Sequence, residues 1–195
     1  MKRFFKCFST HNSEINKYFN SNLSIIKGNT YQQLKNITIG QQLEESSRLY
    51  KNYTALYSYH QNKSLTYEEL NHEVNIVARG FIGLGVQLKE TIGIYAPNCN
   101  EWAISQFACS KSGTVLVNIN PAYQVNDLKY TLNKTKISTL IMPKKLKSSN
   151  YLNILKLIDE DFDKKFQNKN NLKLKNLPFL KRVILLDDIS ANEDI

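Results

Sequence analysis

Residues 91–119 read TIGIYAPNCNEWAISQFACSKSGTVLVNI, and the alternation inside this stretch decides the fold. The run Thr91 to Ala96 is short, rich in β-branched residues and stopped by Pro97, which predicts a buried strand. Asn98 and Glu101 stand three apart, at the spacing at which a cap side chain and a carboxylate exchange hydrogen bonds with each other's backbone, so a helix is expected to open there. Its apolar positions include Ala103, Phe107 and Ala108, Gly113 ends it, and Val115 to Ile119 form a second β-branched run. A strand, a helix of this size and another strand make a right-handed crossover, which places the two strands parallel in one sheet.

The same alternation continues on both sides. Downstream, the pattern predicts a helix near Val125 to Lys134, a strand at Thr139 to Met142, a helix near Tyr151 to Ile158 and a strand at Val183 to Leu186. Upstream, Thr66 and Glu69 form a capping box, behind which Leu70, Val74, Val77, Phe81 and Leu84 recur at helical spacing as one apolar face. His72, Glu73 and Arg79 fall elsewhere on that wheel, and Gly83 and Gly85 supply the stop. A modest helix is expected from Ile39 to Asn52 and a short strand from Ala55 to His60. Residues 164–176, KKFQNKNNLKLKN, are rich in Lys and Asn without periodicity and read as a surface loop or insertion. The expected fold class is α/β, a parallel βαβ sheet layer, with no internal repeat at solenoid period.

Composition narrows the function classes. The 195 residues are 42% hydrophobic and 22% charged, enough for one ordinary domain with a real core. The formal net charge is +9, yet of the 26 basic residues only Arg3, Arg48, Arg79 and Arg182 are arginine. Arginine is the side chain that grips guanine with two hydrogen bonds and stacks on bases, so a nucleic-acid reading is disfavoured. Lysine is instead accompanied by 23 asparagines, the sign of a general compositional bias. Cys7, Cys99 and Cys109 are too few and too irregular for a disulfide framework or zinc cluster, and a reducing compartment fits. Cys99 lies beside the expected helix start, where the helix dipole would depress its pKa, whereas Cys109 reads as core. No apolar run approaches the roughly 18 residues that span a bilayer. The opening MKRFFKCFSTHNS carries Lys2, Arg3 and Lys6, three phenylalanines of which Phe4, Phe5 and Phe8 share a helical face, and no acid before Glu14. That is the composition of a mitochondrial presequence, with a plain N-terminal extension the alternative. The last residues, Asn192 to Ile195, lack a peroxisomal Ser-Lys-Leu address.

Candidate chemical groups each carry a plainer reading. Gly80, Gly83 and Gly85 close a helix and precede a strand, the reverse of a phosphate-binding turn, which follows a strand and opens a helix. His11, His60 and His72 are far apart, and His72 with Glu68 supplies only two ligands, too few for a metal site. Asp187 and Asp188 follow the last strand, where open α/β sheets often bind ligands, but read as a polar turn. No Gly-x-Ser-x-Gly elbow occurs, so a hydrolase triad has no support. Trp102 and Tyr123 read as packing aromatics. The catalytic, cofactor-binding and metal site assignments are therefore none.

The segments LTYEEL (65–70), ARGFIGLGV (78–86), IGIYAPNCNEW (92–102) and KSGTVLVNINPAY (111–123) together resemble the opening of an AMP-forming acyl-CoA synthetase, with PNCNEW and NPAYQ nearest the medium-chain fatty-acid branch. The resemblance extends with weaker signal to about Leu186. It implies residues 1–30 as an N-terminal extension and residues 31–195 as a partial ligase N-terminal domain. In that family a carboxylic acid reacts with ATP to form an acyl-adenylate, and CoA then takes the acyl group, with Mg²⁺, a Ser/Thr/Gly-rich phosphate loop and a lysine managing the charge. Those segments come later in the family, and no glycine follows Gly113 in this sequence, so no residue here is carried over as catalytic and the chain alone is expected to be inactive. One local departure is the turn Gln87-Leu88-Lys89-Glu90, where the family commonly has Lys-Gly-Asp; its conformation is left open. The alternative function is a free-standing α/β interaction or regulatory module on the ligase scaffold. Localisation is expected to be mitochondrial, or else cytoplasmic. A parallel sheet needs both faces covered, so exposed apolar surface, marginal stability and self-association through a sheet face are expected of the isolated chain.

Overall fold

One of the two inner strands of the sheet is β3 (Thr91–Tyr95), flanked by β4 (Val115–Ile119) and by β5 (Thr139–Pro143), with β8 (Arg182–Leu186) beyond β5. The order is β4-β3-β5-β8 and every pairing is parallel, for example Ile92 opposite Leu116 and Thr139, and Leu140 opposite Val183. The computed structural model describes residues 31, 33–146, 149–167 and 172–186. The residues from Ile37 onward form one compact unit and those before it a separate one; all that follows concerns the former.

Alternate residues of each strand feed two cores. Ile92, Ile94, Ile141, Ile184 and Leu186 point to one face, where Leu70, Val74, Ala78 and Phe81 of α2 (Tyr67–Gly83) and Ala108 and Cys109 of α3 (Asn100–Ser112) cover them. Tyr95, Ile119, Leu140, Met142, Val183 and Leu185 point to the other, under α4 (Val125–Lys134) and α5 (Tyr151–Ile158). Helices on both faces follow from right-handed crossovers that run first leftward from β3 to β4, then rightward to β5 and β8. α1 (Ile39–Leu49) packs on α2 and α3, and an antiparallel hairpin of β1 (Thr54–Ser58) and β2 (Lys63–Thr66) leads into α2. Beyond β5 come a small β6–β7 ladder (Lys145–Leu146 with Ser149–Asn150) and α6 (Phe162–Gln167).

The capping box of α2 is present as expected: Thr66 Oγ1 accepts from the Glu69 N–H, and Glu69 accepts from the Thr66 N–H at 2.8 Å. Its apolar face differs at the end. Leu84 is the C-cap residue and is half exposed, while Ala78 is buried, because the chain leaves the helix at Gly83 and turns through Gly85 at φ +74°. Val86 then folds back onto the helix end, its N–H donating to the Phe81 carbonyl, and takes the core place expected of Leu84.

Two further expectations are corrected. Asn98 does not cap α3; the N-cap is Cys99, which makes no side-chain cap bond. The reach from 164 to 176 is not merely a surface loop: α6 occupies its start, and Leu172 and Leu174 are buried in the core under α4 and α5. Their one-residue alternation is too short to register as a period. The turn before β3 keeps a left-handed residue, Lys89 at φ +64°, without a glycine. Cys7, His11, Asp187, Asp188 and both chain ends lie outside the described residues.

Candidate functional site

Strand β3 ends at Tyr95, and the chain turns through Pro97 and Asn98 to start α3 at the carboxyl end of the sheet, the edge at which open α/β sheets commonly receive ligands. The helix start is held from a distance. Gln61, in the turn of the β1–β2 hairpin, accepts the Asn100 N–H on its Oε1 at 2.7 Å and the Ser58 hydroxyl at 2.9 Å. Its Nε2 donates to Glu101 at 2.8 Å, and Lys63 lies 3.6 Å from the same carboxylate. A side chain 39 residues upstream thus satisfies the N–H that a local cap would have taken. Neither Gln61 nor Asn100 stood out in the sequence, since nothing in a hairpin turn announces a partner so far along the chain.

Beside this cluster, on the α2 and α3 face of the sheet, lies an open cleft of about 430 Å³. Leu65, Val77, Phe81, Ile104, Ile184 and Leu186 make its apolar walls, with Lys63, Glu73, Asn100 and Glu101 among its polar lining. Asn100 is only 2% exposed, and among the described residues neither its Oδ1 nor its Nδ2 has a hydrogen-bond partner. A buried amide left unpaired costs about 1–3 kcal/mol per group.

The electrostatics do not poise a general acid or base here. Burial would raise the Glu101 carboxyl, but the Gln61 hydrogen bond, its own backbone and Lys63 outweigh it, and the group is held below the carboxylate range. Burial pushes the Cys99 thiol up to about 11, assisted by the neighbouring Glu101 charge. The depression expected from the helix dipole is therefore overturned: desolvation outweighs a terminal dipole, and the thiol is not a nucleophile at neutral pH. Cys109 is buried and likewise raised, in line with a core role.

On the opposite face Tyr95 and Tyr151 stack with centroids 4.1 Å apart. Tyr95 donates its hydroxyl to the Tyr123 carbonyl, and Tyr151 donates to the Pro121 carbonyl at 2.8 Å. Burial raises the Tyr151 phenol to about 12 and Tyr95 further. The pair pins the loop after β4 as neutral donors, and Tyr123 and Trp102 pack at the rims of the two cores. His72 and Glu68 are both exposed, and among the described residues no group of three His, Cys, Asp or Glu could hold a metal. Nor does the α3 N-terminus fit a nucleotide phosphate: its first N–H is taken by Gln61 and the Glu101 carboxylate occupies its first turn.

Residues 43–194 match the family model described as AMP-binding enzyme. The mitochondrial medium-chain acyl-CoA ligase ACSF2 of Rattus norvegicus is 34% identical over 165 residues, which cover 85% of this chain and 26% of the relative; that of Danio rerio is 29% identical over 84% of this chain and 27% of the relative. Among solved structures, the anthranilate CoA ligase AuaEII in complex with anthranoyl-AMP superposes with a TM-score of 0.59 at 25% identity, over 77% of this chain and 25% of that one. A Mycobacterium tuberculosis fatty acyl CoA synthetase gives 0.62 at 17% identity, over 80% of this chain and 29% of its own. The chain spans about a quarter of the length of the curated relatives it matches. With its parallel sheet, two helical layers and matched residues, it belongs to the AMP-binding enzyme family and corresponds to the N-terminal part of an acyl-CoA ligase.

Proposed function

We propose that this chain is the N-terminal scaffold of an AMP-forming medium-chain fatty acid:CoA ligase. The whole enzyme would activate a fatty acid with ATP and Mg²⁺ as an acyl-adenylate and pass the acyl group to CoA. The observation that carries the reading is the four-stranded parallel sheet with helices on both faces, seen together with 34% identity to medium-chain ligases along nearly the whole chain.

No chemical step is assigned to the described residues, since the start of α3 is already taken by Gln61 and Glu101. What they supply is support: Tyr95 and Tyr151 fix the loop after β4, and the Gln61 cluster fixes the start of α3. In this reading residues 1–30 are an extension whose opening basic and aromatic composition acts as a mitochondrial presequence, and residues 31–195 are part of the large ligase domain. The name "mitochondrial" carried by the ACSF2 relatives supports that address. Isolated from the remaining three quarters of a ligase, the chain is expected to release no pyrophosphate from ATP, Mg²⁺ and octanoate when assayed beside an active ligase. Release that depends on both ATP and the acid would overturn the reading.

A further inference from the structure

All four parallel strands begin at one edge of the sheet, and the segments that lead into β3, β5 and β8 bring exposed apolar and basic side chains together there. Leu84 and Leu88, between α2 and β3, are 53% and 71% exposed, and Phe179, before β8, is 40% exposed. Lys89, Lys136 and Lys181 are exposed beside them. The segments meet: Lys136 Nζ lies 5.8 Å from the centre of the Phe179 ring, and Lys181 and Arg182 both reach Glu90, in the turn that carries Leu88 and Lys89. Glu90 is thus outnumbered by its own partners, and among the described residues neither Lys89 nor Lys136 has a carboxylate at ion-pair distance. Both lysines hold a left-handed backbone, at φ +64° and +52°, and Lys136 stands just past the end of α4, a place that favours glycine. Two of the three left-handed non-glycine residues among those described are therefore cations of this edge, held there at a cost to local stability. We infer that the amino edge of the sheet is a peripheral membrane-binding surface, where Leu84, Leu88 and Phe179 enter the headgroup layer of an anionic bilayer and Lys89 and Lys136 engage its phosphates.

The mixture of side chains selects that partner over others. A bilayer offers anionic headgroups to the lysines and, just beneath them, an apolar layer to the leucines and the phenylalanine. A nucleic acid would satisfy the lysines alone and set the apolar tips against phosphates. A second copy would bring the same cations face to face, on two chains of charge +9. Attachment through this edge leaves the carboxyl edge, with the start of α3, turned toward the aqueous phase. Lipid binding is read without any activity, so the inference and the ligase reading above can each fail alone.

The test is flotation of the full 195-residue chain with vesicles, which separates lipid-bound protein from any aggregate. The chain is expected to float with vesicles of phosphatidylcholine and phosphatidylserine in equal parts, to stay behind with phosphatidylcholine alone, and to be released as salt is raised. Lys89→Gln combined with Lys136→Gln is expected to weaken binding by roughly tenfold or more. Leu88→Ser, which removes an apolar tip and no charge, is expected to weaken it by about fivefold. Lys144→Gln combined with Lys145→Gln removes the same charge at the carboxyl end of β5 and is expected to bind within about twofold of the parent. The proposal is overturned if the chain fails to float with the anionic vesicles, if it floats equally well with phosphatidylcholine alone, or if the two double variants lose binding equally. It is also overturned if Leu88→Ser binds as the parent does, which would give the edge to a polyanion such as a nucleic acid.

Discussion

Lys89 holds a left-handed backbone at φ +64°, in a turn that returns the chain to the start of β3. Its N–H donates to the Gly113 carbonyl, and the Val115 N–H donates to the Glu90 carbonyl, so the conformation is imposed by the β3–β4 connection. A lysine pays a steric cost there that a glycine avoids, on the order of 1 kcal/mol, partly offset by the greater freedom of an unfolded glycine. Lys89→Gly is expected to raise stability by a few tenths to about 1 kcal/mol, visible as a higher midpoint in urea with an unchanged slope. Single side chains around the starts of α2 and α3 are legible in the chain only where their partners are local. Thr66 and Glu69 are three apart and legible because both partners are local. The Asn98 cap failed because Gln61, distant in sequence but close in space, had taken its work. Cys99 shows the same limit: proximity to a helix start is visible in the chain, whereas burial against Glu101 is not.

Helix α1 is tied to its neighbours through one buried side chain. Lys111, on α3, has a side chain only 9% exposed and donates to Glu44 of α1 and to Asn71 and Asn75 of α2, all at 2.7–2.8 Å. Gly40 lets α1 lie close enough, since a Cβ there would stand 2.9 Å from Lys111 Cγ. Replacing Lys111 with Met keeps the apolar stem but leaves two asparagine oxygens and a carboxylate without their donor. Lys111→Met is expected to cost about 1–3 kcal/mol and to speed amide exchange in α1 more than in the sheet. Strands β3, β4 and β5 and helices α2, α4 and α5 were readable in the sequence from their periods and stop signals, whereas α3, which has almost no apolar face of its own, was readable from the strands on either side and from Gly113. β2, β6, β7 and α6 were not, being too short for a period to emerge, and the buried Leu172 and Leu174 were hidden by the lysines and asparagines around them.

Across the whole molecule, Glu90 ties together segments that meet only at the amino ends of the strands. It takes Lys181 at 2.6 Å, Arg182 at 3.1 Å and the Ser138 hydroxyl at 3.0 Å, while Arg182 also donates to the Leu84 and Gly85 carbonyls at the end of α2. Burial alone would raise the Glu90 carboxyl, but the bonds from Lys181 and Ser138 and a backbone bond at Gln87 prevail, so it titrates below its ordinary 4.5. A group lowered on folding stabilises the native state fully above its unfolded pKa and loses that contribution as the pH falls through the folded value. The stability gap between the parent and Glu90→Gln is therefore expected to be constant near neutrality and to shrink below about pH 4.5, as followed by urea midpoints across that range.

The strand order has a consequence in time. No two neighbours in the sheet are joined by a hairpin; β3, an inner strand, leaves a ribosome first and gains β4, then β5, and β5 gains β8 only after 39 further residues have followed Pro143 to reach Arg182. At roughly 5–20 residues per second, synthesis from β3 to β8 takes on the order of ten seconds. Until β8 arrives the buried strand β5 stands with one edge unpaired, so the nascent chain's exposure to chaperones and to misassembly follows the pace of translation.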